Sequence, residues 1–231
     1  MAAAIPASER VNEGRCPPPG RLPPRGALSL VEPVPMILYD HPLSGNCHKV
    51  RMLLSMLGLN VETRFIDVVN HAHIGVGFER LNPLLEIPVL EDGMEIIPDS
   101  QAILVYLARK YGPDWFPIDA PDAAQVVRWL AFAALPIATS LQPARLYHLI
   151  GEDGDIQALN ARCARVLAVL DSHLACREWL VVRPSIADLA CFPYVALCGD
   201  ARLSLDPTPH VKAWVARVKA LPGYVGMPGL D

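Results

Sequence analysis

Hydrophobic periodicity changes once along this chain of 231 residues, and that change limits the architectures open to it. Between residues 36 and 111, short alternating stretches interchange with stretches spaced at three and four. Beyond Tyr111-Gly-Pro-Asp-Trp-Phe-Pro-Ile-Asp-Ala-Pro121 only the helical spacing persists. A period of two places alternate side chains on opposite faces of a strand, whereas a period near 3.6 builds an apolar stripe along a helix. The expected fold is therefore α/β plus all-α: a small mixed domain over 36–111, a linker over 112–121 and an all-helical domain over 122–231.

Within the first segment, Ile37-Leu-Tyr39 reads as a strand. A helix follows through Cys47, Val50, Leu53, Leu54 and Leu57, closed by Gly58. Val61–Ile66 reads as a second strand, and a short helix is expected near Val76–Leu81. Ile87–Leu90 and Glu95–Ile97 flank Asp92-Gly93, a hairpin signal. Asp99-Ser100 then caps a helix through Ala102, Ile103, Tyr106 and Leu107. The order β-α-β-α-β-β-α makes a parallel pair joined by the first helix. In the second segment, residues 122–150 read as helix interrupted at Pro136 and Pro143. Residues 155–175 give the cleanest amphipathic stripe, Ser185-Ile-Ala-Asp188 resembles a capping box, and a last helix runs from Val211 to Leu221.

Composition excludes several classes. A net charge of −4 gives no basic field for nucleic acid. No apolar run reaches the roughly 18 residues of a membrane span. The six cysteines form no CxxC pair and do not alternate with His at zinc-site spacing, which suits buried thiols in a reducing cytoplasm; no metal is implied. Prolines number 23 and crowd residues 1–35, where periodicity is absent, so a disordered Pro-rich leader is expected there.

Four motifs in order carry a family resemblance over about residues 36–228: "SGNCHKVR" (44–51), "LNPLLEIPVLEDG" (81–93), "DSQAI" (99–103) and "RPSIADLACFPY" (183–194). Together with the α/β–linker–all-α order, they resemble the cytosolic glutathione S-transferase family, in the bacterial type with a serine/asparagine active-site turn. The resemblance implies a thioredoxin-like first domain, glutathione as co-substrate, a small hydrophobic electrophile as second substrate, a detoxifying transferase activity, a homodimer and a cytoplasmic location. A non-catalytic binding or scaffold protein on the same fold is the alternative.

Residue by residue, the resemblance gives Ser44 the place of the hydroxyl that stabilises the glutathione thiolate, and Asn46 that of an assisting asparagine. Either could instead simply cap the first helix. Glutathione's thiol resembles a free cysteine, ionising near roughly 8.5, and a helix N-terminus supplies donors and positive potential to lower that. Cys47 stands where a disulfide-exchanging thiol would, but its spacing to Val50 and Leu54 points it into the core. His48 falls on a polar face, and Lys49 and Arg51 are expected as solvated charges. Ile87-Pro88 matches a cis-proline step that presents the Ile87 backbone to the ligand. Asp99 and Ser100 match the pair that meets the γ-glutamyl end, where cap and site coincide. His73, or its neighbour His71, stands where a residue for the glycyl carboxylate lies. Leu85 replaces a common Gly, and Glu86 replaces a Lys or Gln, so that Glu86 either repels that carboxylate or turns outward. For the electrophile, Trp129, Phe132, Arg145 and Tyr147 are candidates, although aromatics on an apolar helix face are commonly core.

Overall fold

A computed structural model describes residues 35–75 and 77–230; the expected leader, apart from Pro35, lies outside the described residues. The elements are β1 (Ile37–Asp40), α1 (Gly45–Met56), β2 (Glu62–Phe65), β3 (Val89–Asp92), β4 (Glu95–Pro98), α2 (Ser100–Tyr111), α3 (Ala120–Phe132), α4 (Leu141–Leu149), α5 (Ile156–Leu174), α6 (Ile186–Ala196) and α7 (Pro209–Lys219). The first half forms a four-stranded sheet ordered β2-β1-β3-β4. β1 pairs parallel with β2 and antiparallel with β3. The small mixed domain followed by helices is the fold expected from the change in periodicity.

Several boundaries differ from expectation for local reasons. The strand expected from Ile87 begins at Val89, because Pro88 has no N–H to give the ladder. The hairpin loop is Gly93-Met94, since Asp92 pairs with Glu95. Gly93 has φ +69°, and glycine at the first position of a two-residue loop supplies the required left-handed backbone. A single 3₁₀ turn, Phe78–Arg80, stands where a short helix was expected. Pro143 does not interrupt a helix. It lies in the first turn of α4, where its missing N–H would have had no partner. Pro136 sits in a π-helical turn, Ala133–Ile137, that ends α3.

The centre of the molecule is α6. From Ile186 to Val195 every residue is buried, as expected for a helix apolar on all sides. It packs on α1 and α2 of the sheet domain and on α3, α4 and α7. Its start is fixed by Asp188. One carboxylate oxygen accepts from Leu180 N (3.0 Å) and Trp214 Nε1 (2.9 Å), and the other from Ser185 N (3.0 Å) and Oγ (3.3 Å). Burial pushes this carboxyl up to about 6 even against these donors. Among the described residues no single helix is long and apolar enough to cross a membrane.

Three N–H groups meeting one buried acid make Asp188 hard to replace. Asp188→Ala is expected to lower unfolding free energy by about 3 kcal/mol or more, the cost of stranding buried donors, as read from urea melts. A loss below about 1 kcal/mol would show that water replaces the carboxylate.

Candidate active site

The N-terminus of α1 is the centre of the site. Ser44 is its N-cap, with Oγ accepting from Cys47 N at 3.2 Å. The hydroxyl's acceptor side is thereby used, and its proton remains available to a ligand. The turn is held tightly. Ser44 N donates to His41 O (2.9 Å), and Arg51 bonds Asp40 Oδ1 (2.5 Å) and the carbonyls of His41 (3.3 Å) and Pro42 (3.2 Å). Arg51 is thus a clamp on the loop before the turn, not a solvated charge.

Two further expectations on α1 are corrected. Lys49 is only 1 % exposed. Its Nζ donates to Asn46 Oδ1 at 2.7 Å and lies 5.6 Å from the centroid of the Tyr194 ring. Burial lowers its pKa to about 8. His48 is fully buried, with Nε2 2.7 Å from Val225 O, and burial lowers it to about 4, so that it is neutral at pH 7. Both misreadings share one cause: the face of α1 opposite the sheet is covered by α6 and the C-terminal segment. Cys47 points into the core, as its spacing implied, and burial pushes its thiol pKa far upward, away from the reactive range.

A cleft of about 760 Å³ opens beside this turn, walled by both halves of the chain. On the sheet side lie Ser44, Asn46, Lys49, His71, His73, Glu86, Ile87, Asp99, Ser100 and Gln101. Ile87-Pro88 is cis, and the β3 ladder begins two residues after Ile87. Asp99 is held at φ +74° while capping α2. Its Oδ1 accepts from Gln101 N (2.8 Å) and Ala102 N (2.9 Å), and Oδ2 meets no donor among the described residues. Such a strained conformation in a non-glycine residue is characteristic of binding sites. His73 lines the cleft, but its ring nitrogens already face Asp67 O (3.4 Å) and Leu85 O (3.0 Å). His71 is exposed on the cleft, and its ring has no such ties among the described residues. Leu85 stands at φ +57°, a left-handed backbone that suits the glycine the family resemblance implies at this position. Glu86 is exposed at the rim, its carbonyl accepting from Asn82 Nδ2 at 2.8 Å.

The helical wall differs from expectation. Trp129 is wholly buried, edge-on to Phe132 (5.1 Å) and His173 (4.7 Å), and neither Trp129 nor Phe132 lines the cleft. Tyr147 packs on His148 at 5.1 Å, also outside it. The wall is instead Ala133, Ala134, Ala138, Gln142, Leu146, Leu149 and Ile150, with Tyr194 at the base. Small side chains leave room, so a search for aromatics overlooks them. Arg145 does line the cleft. Buried at 2 % exposure, it donates to Asp200 Oδ2 (2.9 Å) and Leu43 O (2.8 Å), tying the turn before α1 to the helical half. Tyr194 went unnoticed in the sequence. A Cβ on Gly45 would stand 2.8 Å from its ring, so the motif's glycine is required by close packing.

Gly45→Ala is therefore expected to cost about 1–3 kcal/mol by overpacking, measured by thermal melting, and to weaken binding at the displaced turn. The double variant Gly45→Ala/Tyr194→Ala should recover part of that binding.

Comparison with known proteins agrees with this fold. Residues 38–115 match the family model for the glutathione S-transferase N-terminal domain, and 141–222 that for the C-terminal domain. Over 204 residues the chain is 32% identical to glutathione S-transferase 3 of Zea mays, covering 82% of this chain and 91% of that protein. It is 30% identical over 200 residues to glutathione S-transferase theta-1 of Homo sapiens, covering 80% and 83%. The crystal structure of a glutathione S-transferase from Xanthobacter autotrophicus Py2 superimposes with a TM-score of 0.79 at 32% identity, covering 85% and 98%. Ure2p in complex with glutathione gives 0.74 at 27%, covering 82% and 96%. The chain belongs to the glutathione S-transferase family.

Proposed function

We propose that this glutathione S-transferase binds glutathione along the sheet side of the cleft and ionises its thiol at the N-terminus of α1. The observation that carries the reading is the Ser44 hydroxyl, which lines the cleft and whose oxygen accepts from Cys47 N, so that the group's remaining role toward a ligand is that of a donor. The thiol's proton leaves to solvent. Ser44 Oγ–H and the Asn46 side-chain amide then donate to the sulfur anion, and the α1 dipole adds positive potential. The free Oδ2 of Asp99 suits the γ-glutamyl ammonium, and the α2 N-terminus at Ser100 suits its carboxylate. The N–H and C=O of Ile87 pair with the cysteinyl backbone as an added strand would. His71 or His73 attends the glycyl carboxylate, His71 having the freer ring.

The thiolate attacks a small apolar electrophile seated against Ala134, Ala138, Leu146 and Leu149. The sulfur lone pair forms the new S–C bond as the leaving group departs with its electron pair. The expected protein is a cytoplasmic, detoxifying homodimer.

Ser44→Ala is expected to raise the bound thiol's pKa by about one unit, a tenfold fall in kcat/KM below that pKa. A pH–rate profile superimposable on that of the unchanged protein would remove Ser44 from the chemistry. Glu86→Gln should tighten glutathione binding by about two- to threefold in calorimetry at low salt, a small effect because an exposed charge is screened. Weaker binding in this variant would mean that Glu86 holds the ligand.

A further inference from the structure

We propose that Lys49 is a positioning residue that sets the orientation of the Asn46 amide, so that its N–H groups, and not its oxygen, face the glutathione sulfur. This inference rests on the function proposed above.

The orientation follows from the chemistry of the two side chains. An ammonium has three donors and no acceptor. Lys49 Nζ lies 2.7 Å from the Asn46 amide, so the atom facing it must be the oxygen. The opposite end of the amide, Nδ2, is then turned away from Lys49. Among the described residues it meets no acceptor, and Asn46 lines the cleft beside Ser44. With the amide reversed, the oxygen would face a thiolate and repel it. Asparagine alone has no preference between these orientations; the lysine supplies one.

The cost of keeping an ammonium there makes a passive role hard to sustain. Lys49 is 1 % exposed, and no carboxylate among the described residues forms an ion pair with it. The groups that face it are Asp99 at the N-terminus of α2, Cys191 and Tyr194 on α6, and Cys47 on its own helix. Of these only Asp99 is a carboxylate, and it forms no ion pair with Lys49: its Oδ1 caps α2 and its Oδ2 is left for a ligand. A buried charge without a partner is destabilising, and an apolar side chain of equal length would pack more favourably. The uncompensated charge also leaves a positive potential at the cleft floor, where the thiolate forms.

The test is a pH titration of thiolate ultraviolet absorbance for glutathione bound to the unchanged protein, Lys49→Met, Asn46→Ala and the double variant. Calorimetry supplies each affinity. Lys49→Met is expected to raise the bound thiol's pKa by about one unit, a tenfold loss of thiolate near neutrality, while changing glutathione affinity less than about threefold. In the Asn46→Ala background the same substitution is expected to give at most about a third of that shift. Lys49→Gln, which can donate to Asn46 but does not enforce the orientation, should fall between Lys and Met; it carries the test if Lys49→Met does not fold. A bound-thiol pKa equal to that of the unchanged protein in the Met or Gln variant overturns the proposal, as does an undiminished shift without Asn46. If the unchanged protein itself fails to bind glutathione, the proposed function falls, and this inference with it. Binding and ionisation that are indifferent to residue 49 overturn this inference alone.

Discussion

Everything at this site depends on the free N–H groups at the start of α1. The first turn of a helix cannot pair its own donors, and here that turn is buried on every side but one. Ser44 takes the Cys47 N–H, and the open side is the cleft. The surrounding structure keeps this terminus from moving. Arg51 grips the loop before it, Arg145 reaches from α4 to the Leu43 carbonyl, and the Tyr194 ring lies against Gly45. Two of these three restraints come from the helical half. The helices therefore do more than add a substrate wall: they fix the geometry of a turn that belongs to the sheet domain.

That dependence explains which parts of the molecule were legible in the sequence. The elements set by local chemistry were readable: the strand–turn–helix of β1 and α1, the glycine-dependent hairpin, the Asp99 cap and the Ser185–Asp188 capping box. Each rests on residues a few positions apart. The thiol-side candidates Ser44, Asn46, Ile87, Asp99 and Ser100 were readable for the same reason, and the structure gathers them around one cleft. Residues whose surroundings are set by distant elements were misread. Lys49, His48 and Arg51 look like the polar face of an amphipathic helix, and nothing nearby in the chain announces that α6 and Val225 will cover two of them. Trp129 and Tyr147 were sought because they are large, but a cleft is made where side chains are small, as at Ala133, Ala134 and Ala138. The π-helical turn at Pro136 compounds this, since one extra residue per turn rotates the helical faces that follow.

The departures from the family motif can also be weighed. Leu85 adopts a left-handed backbone at a cost of roughly 1–2 kcal/mol, and its half-buried side chain packs beside Ile37, Tyr39 and Val89. Burial of a partly covered leucine offsets a good part of such strain, so the loss of glycine is tolerable without moving the loop. Glu86 matters less than its charge suggests, because it is exposed at the rim while Lys49 and Arg145 are buried at the floor. A charge in water is screened over about 8–10 Å at ordinary salt and weakened by the high dielectric, whereas a buried one acts through a poorly polarisable medium. In the proposed binding mode the field at the sulfur is therefore set mainly by Lys49 and by the helix terminus, since Arg145 is paired with Asp200.

The same reasoning bears on why a folded protein would keep Lys49. Hydrophobic burial and dispersion would both favour a methionine there, and α1 would then present to α6 an unbroken apolar face. A helix terminus alone lowers a thiol's pKa only while its donors are aimed at the sulfur, and the Asn46 amide can aim either end. A donor-only group behind it removes the unproductive half of its orientations before the ligand arrives. Preorganisation of this kind reduces the rearrangement required when charge develops, and it does so at the expense of stability. Lys49 is thus placed where stability and the proposed reactivity make opposite demands.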